Sequence, residues 1–219
     1  MSAVRFFPRC VSLLFAAVSA VVPMFAWADG EIVSSERTQV EEPAVLEFLM
    51  VHPESEALVR LPAVAEAIAA APAGSCVAGS SVKGADLDGY VIVPQRLLDA
   101  EGEVLRREDG EVAVEYWVLE SPASAQRRGV YVSEAQVEGV SREFTPPNAV
   151  CVRLSAEGSR RLALLTSGLR FGHDRVAVVC GGVVLMAPVV QVPLSLRDVV
   201  LTGLSEDEAD LLLDVWEGE

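Results

Sequence analysis

Apolar positions along this chain fall into two rhythms. Short runs of mostly β-branched residues predict strands at 44–51 (AVLEFLMV), 90–93 (YVIV), 112–119, 130–132, 149–154 (AVCVRL), 176–180 (VAVVC), 183–187 and 199–201. Three stretches repeat at helical spacing instead. Behind Pro62, well suited to open a helix, come Val64, Ala67, Ile68 and Ala71. Behind Ser155, a plausible N-cap, Leu162, Leu165 and Leu169 share one stripe. Ser205 and Glu208 have capping-box spacing, and Ala209, Leu212, Leu213 and Trp216 follow on one face. Residues 137–144 fit neither rhythm cleanly.

Turn residues punctuate these runs. Pro72 and Gly74 stop the first helix, and residues 73–89, rich in Gly, Ser and Ala, read as a loop. A charged stretch around Glu101-Gly102 and Glu108-Asp109-Gly110 separates two strands, with no internal repeat expected. Pro146-Pro147-Asn148 is a turn and Gly172 closes the second helical segment. Gly181-Gly182 alone separates two Val-rich runs, which predicts a β-hairpin with a type I′ turn. Pro188 then ends the ladder or places it at an edge. Residues 149–216 thus run strand, helix, hairpin, strand, helix. This predicts an α+β fold, a mixed or antiparallel sheet with helices packed on one face.

The first 28 residues have a different character. Arg5 and Arg9 precede an apolar run of about 17 residues, at the short limit for a span, and Ala26-Trp27-Ala28 fits a small-x-small cleavage site. That layout predicts a secretory signal peptide over 1–28, cleaved after Ala28. A polar, flexible leader is expected at 29–43, an α+β part at 44–128 and an α+β core at 129–219. No later run is long enough to span a membrane, so with the signal segment removed a periplasmic or otherwise exported chain is expected.

Charge narrows the partners. The 219 residues carry a formal charge of -15, and Lys83 is the only lysine. Phosphate-backbone binding needs a basic face, so nucleic acid is not an expected partner. At 51% hydrophobic and 22% charged residues, the chain can bury a sizeable core.

Little in the sequence suggests bond-breaking chemistry. His52 and His173 are the two histidines; His173 is expected in a connecting loop and His52, before Pro53, at the end of a strand, both solvated. Asp86-Leu87-Asp88-Gly89 resembles a fragment of a calcium loop, but Gly84 and Gln95 stand where oxygen ligands would be needed. Without the signal segment, Cys76, Cys151 and Cys180 remain. This odd number allows one bridge at most, and Cys151 and Cys180 in their Val-rich runs are expected to act as small buried hydrophobes. No catalytic, metal-binding or cofactor-binding residue is assigned, and no cofactor is expected.

From Tyr131 onward the order of motifs resembles the head of the first periplasmic domain of SecD, a subunit of the SecDF protein-export complex. The resemblance rests on Val150-Cys151-Val152-Arg153-Leu154, then Gly158, then the run from Leu162 to Thr166. Gly172 and Val176-Ala177-Val178-Val179-Cys180-Gly181 follow, with Cys180 where the family has Asp. Ala187-Pro188, Leu201-Thr202-Gly203 and Glu208-Ala209 complete the series. Upstream, Ala44-Val45-Leu46-Glu47-Phe48 is similar to the strand that opens this region in SecD, with Leu49 in place of the family's Arg. The resemblance implies a SecD-head-like fold and a non-enzymatic binding role, contacting polypeptide or envelope proteins in or near protein export. The transmembrane bundle that couples SecD to protons does not follow here, so a proton-driven motor is not expected. Two other readings stand beside this one, an accessory envelope protein without a translocation role and a hydrolase with an unfamiliar site.

Overall fold

A computed structural model describes residues 46–99, 102–143 and 145–217. The expected signal segment, the leader and the first two residues of the 44–51 run lie outside the described residues. The strands are β1 (Leu46–Met50), β2 (Val77–Ala78), β3 (Tyr90–Arg96), β4 (Val114–Glu120), β5 (Val132–Ser133), β6 (Val137–Glu143), β7 (Ala149–Leu154), β8 (Val176–Cys180), β9 (Val183–Met186) and β10 (Asp198–Leu201). The helices are α1 (Ser55–Leu58), α2 (Pro62–Ala70), α3 (Pro122–Arg127), α4 (Ala156–Ser167) and α5 (Glu206–Glu217). The fold is α+β, and the ambiguous 137–144 stretch resolves as the strand β6.

The strands form two sheets rather than the one layer expected for the C-terminal part. The small sheet is antiparallel, in the order β10-β7-β6. Its core face carries Val150, Val152 and Leu154, each fully buried, and Leu162 and Leu165 of α4 with Ala209 and Leu212 of α5 belong to the same core. Its other face carries the exposed pair Arg153 and Asp198, Nε to Oδ1 at 2.8 Å. Here helices do cover one face only. β8 behaves differently because all five of its residues are buried. A strand apolar on both faces needs cover on both. It therefore leaves the small sheet and sits between β9 and β1 in the large one, ordered β2-β3-β9-β8-β1-β5 with β4 on β3. The large sheet is mixed, since β3 runs parallel to β9. Its strands come from both sides of residue 129, so the 44–128 and 129–219 parts interleave. A pairing of Val51 with Leu119 joins the end of β1 back to β4 and curls the sheet toward a ring.

The β3–β4 ribbon is apolar on both sides. Val93 and Leu119 face the main core, whereas Ile92 and Val118 face a second cluster with Val64 of α2, Val77, Val82 and Leu87. This second cluster explains the 73–89 segment, which is more than a loop: its Val77, Val82 and Leu87 are buried and it contributes β2. β3 continues through Pro94 to Arg96. On that flank the ladder changes partner, from β2 opposite Val91 and Ile92 to β9 opposite Gln95, and Pro94 falls in the gap. Short helices α1 and α3 lack enough turns to show a period and were not expected from the sequence.

The charged 97–113 segment does contain a repeat. Residues 97–104 (LLDAEGEV) and 105–112 (LRREDGEV) share one eight-residue sequence pattern. In each, a backbone amide pairs across the turn, Asp99 donating to Glu103 at 2.9 Å and Arg107 to Glu111 at 2.8 Å. Leu97, Leu105 and Ala113 close a cycle of amide-to-carbonyl bonds, Leu97 to Ala113, Ala113 to Leu105 and Leu105 to Leu97, each 2.8–2.9 Å. Among the described residues, the polar side chains that hide the repeat in a hydrophobic profile, Asp99, Glu103 and those of 106–111, are exposed.

Three local expectations are met in detail. Gly181 and Gly182 have φ of 55° and 76°, the left-handed pair that a type I′ hairpin demands. Ser155 Oγ accepts from the Gly158 amide at 3.0 Å. Ser205 and Glu208 bond reciprocally, Ser205 N donating to Glu208 Oε2 at 3.0 Å and Glu208 N to Ser205 Oγ at 3.2 Å. The last arrangement lets Glu208 sit 1% exposed.

Candidate binding groove

Three adjoining clefts open where α1 and α2 meet β4. The first, about 520 Å³, is lined by His52, Glu54, Arg60, Trp117, His173 and Arg175 among others. The second, about 470 Å³, shares Ser55, Glu56, Arg60 and Trp117 with the first and adds Val59, Ile68 and Tyr116. The third, about 570 Å³, shares Ile68 and Tyr116 with the second and runs on to Ala71, Arg107 and Val114. The shared residues make one continuous groove, polar at the histidine end and more apolar along α2.

Both histidines line the same end, although 120 positions separate them in sequence. His52 leaves β1, where its amide donates to Val118 O at 2.8 Å. Its Nδ1 accepts from the Glu54 amide at 3.0 Å, and its ring meets Tyr90 edge-on at 4.9 Å. His173 sits in the turn between α4 and β8, where its amide donates to Arg170 O at 3.1 Å. The neighbouring Asp174 accepts from the Arg170 amide and side chain, both at 2.8 Å. That Arg170 guanidinium holds the Asp174 carboxyl below its ordinary pKa, and burial opposes it only in part.

Trp117 is the fixed wall of the groove. Its Nε1 donates to Gln95 Oε1 at 2.6 Å, and the Arg175 guanidinium lies over its ring. Ser55 lies at the groove's floor but is only 3% exposed, and its hydroxyl accepts from the Val118 amide at 2.8 Å. Thus the Ser55 hydroxyl is buried and bonded, and the Asp174 carboxylate is committed to Arg170, while Glu54 and Glu56 also line this end. Beside the two histidines, the groove offers a tryptophan, a tyrosine, aliphatic side chains of α2 and a rim of charges, which together can make both polar and apolar contacts. Among the described residues no group of three or more His, Cys, Asp or Glu is placed to hold a metal ion.

The other residues raised by the sequence lie elsewhere. Asp86 and Asp88 are exposed on either side of Leu87, whose side chain anchors the loop in the second core. Cys151 and Cys180 are buried, as expected of small hydrophobes, and all three described cysteines are free thiols. Burial pushes the Cys180 thiol up to about 11. Cys76 is exposed, and its Sγ donates to Gly182 O at 3.1 Å. Burial of its sulfur and the nearby Glu47 raise its pKa. Sequence reasoning missed Arg60, Tyr116, Trp117 and Arg175. Trp117 and Tyr116 stood in view within a strand, but nothing local separates a groove-lining aromatic from a core one.

No protein-family model matches the chain, and no curated protein matches it. Among solved structures it is similar to SecDF, described as a membrane component that enhances protein export, with 18% identity and a TM-score of 0.39. The match covers 78% of this chain, which spans 61% of the SecDF chain. Among the described residues no helix is long and apolar enough to cross a membrane.

Proposed function

We propose that this chain is an exported, non-enzymatic module, akin to a SecD periplasmic head, that holds polypeptide in or near protein export. The observation that carries the reading is the shape of the groove. Three clefts joined through Arg60, Trp117, Ile68 and Tyr116 make a long open channel, which fits an extended chain better than a compact small molecule. The exported setting is supported by the residue 1–28 pattern, and the head assignment by the motif series from Val150 to Ala209.

A fluorescently labelled protein kept unfolded by reduction and carboxymethylation tests this directly. Titrating it with the purified protein is expected to raise its anisotropy saturably, with competition by unlabelled unfolded chains and none by the native form. No saturable binding would overturn the proposal.

One observation favours a second reading, a hydrolase: His52, His173 and Asp174 line one cleft. The same incubations, followed by mass spectrometry, decide it. Cleavage of the unfolded chain that disappears in a His173→Ala variant would establish turnover, and an intact chain would dismiss it.

A further inference from the structure

We infer that the outer edge of β4 receives the bound polypeptide as an added β-strand, paired at Val114 and Tyr116; this rests on the polypeptide-binding reading above. The argument starts at Val118. Its amide donates to Ser55 Oγ and its carbonyl accepts from the His52 amide, each at 2.8 Å, so both groups point away from β3. The β3–β4 ladder is regular over all seven pairs, Tyr90 opposite Glu120 through Arg96 opposite Val114. Backbone direction alternates along a strand. Tyr116 and Val114 therefore point their N–H and C=O groups the same way as Val118, out toward the groove they line. Among the described residues nothing pairs with them there.

The rest of this edge is already closed. The extended segment at Val51 and His52 covers it beyond Val118, and Arg106 pairs with Val112 at the other end. Folded proteins usually block a free edge, because unpaired backbone groups recruit other chains. Here the gap opens into the groove between β4 and α2, and the chain's own Val51–His52 segment already shows how an extended strand sits on this edge. The occupant that completes it is a main chain in extended form. About five residues would span about 17 Å of it. Alternate side chains of that strand would meet Val59, Ile68 and Tyr116 on one side and Glu115 and Trp117 on the other. The partner class is thus an unfolded or extended segment with apolar residues at every second position, and its recognition comes mostly from its backbone.

The test uses a nonapeptide with valine at alternate positions and threonine between, and a twin N-methylated at every second backbone nitrogen. The unmodified peptide is expected to bind, the twin at least tenfold more weakly. In the complex, hydrogen exchange at the Val114 and Tyr116 amides is expected to slow at least tenfold. Val114→Pro removes one outward N–H and leaves the β3 ladder intact, so it is expected to weaken the unmodified peptide at least tenfold. Equal binding of the two peptides, unchanged exchange at saturation, or no peptide binding by a protein that still binds the unfolded probe would overturn strand addition and leave polypeptide binding standing. A dimer by light scattering that the peptide dissolves would assign the edge to a second copy of this chain and overturn it too. If the unfolded probe itself does not bind, the broader reading fails first.

Discussion

Arg175 holds its guanidinium carbon 5.8 Å above the centroid of the Trp117 ring. The same arginine is itself fixed, since Nη1 donates to Ala187 O at 2.7 Å. The indole is gripped at its polar tip by Gln95, whose Nε2 donates onward to Leu185 O at 3.4 Å. A ring restrained on one face and at one edge has few rotamers to lose on binding, which lowers the cost of using it as a recognition wall.

Arg175→Met keeps much of the stem but removes the cation. It is expected to lower stability by about 1 kcal/mol, to shift the tryptophan emission and to weaken the unfolded probe several-fold. Urea unfolding and the anisotropy titration measure both. Unchanged emission and affinity would mean that the stacked pair plays no part in the groove.

Gly158 is fixed by space. A Cβ there would lie 2.8 Å from Gln136 O and 2.9 Å from Gln136 Cβ. The same carbonyl accepts from the Ser155 amide at 2.8 Å, so the first turn of α4 is pressed against the turn before β6. Gly158→Ala is expected to cost about 1–3 kcal/mol by overpacking, read as a lower urea midpoint at unchanged slope. A cost below about 0.5 kcal/mol would show that the backbone yields easily there.

Acid should weaken the turn that carries His173. Asp174 has a lowered pKa in the folded protein, chiefly through its hydrogen bond with the Arg170 side chain. A depressed carboxyl contributes stability above its unfolded pKa and loses it as pH falls through the folded one. Stability measured from pH 6 down to pH 2 is therefore expected to fall less steeply in Asp174→Asn than in the parent, starting from a lower value. Parallel curves would contradict this pairing.

Thiol labelling should follow exposure. Cys76 is exposed and is expected to react with iodoacetamide in the native state, more slowly than free cysteine because its pKa is raised. Buried Cys180, with its thiol up at about 11, and Cys151 are expected to react only on unfolding. Mass spectrometry of the labelled peptides gives the order, and fast labelling of Cys180 would contradict the packing of β8.

What could be read from sequence is what is local. The Ser205–Glu208 box, the Gly181-Gly182 hairpin and the Ser155 cap each need only a few neighbouring residues, and each formed as expected. Pairing over long separations left no local trace. β1 joins β8, with Leu46 opposite Cys180, and the Val-rich pattern of β8 says only that it is buried on both faces. Hence the single expected layer became two sheets. The groove is less legible still. It draws His52, Arg60, Trp117 and Arg175 from four separate segments, and none carries a motif. The repeat at 97–112 was missed for a different reason: its two copies share the Gly-Glu-Val ending, but their polar middles differ.

Site-specific photo-cross-linking tests the central claim most directly. A photoreactive residue is placed in the groove at Arg60, or on the far face of the small sheet at Arg153, and each variant is irradiated with the unfolded probe. Cross-linked product from position 60, absent from position 153 and suppressed by excess unlabelled unfolded chain, is the predicted result. Equal products from both positions, or none from position 60, would contradict a polypeptide site along α1, α2 and β4.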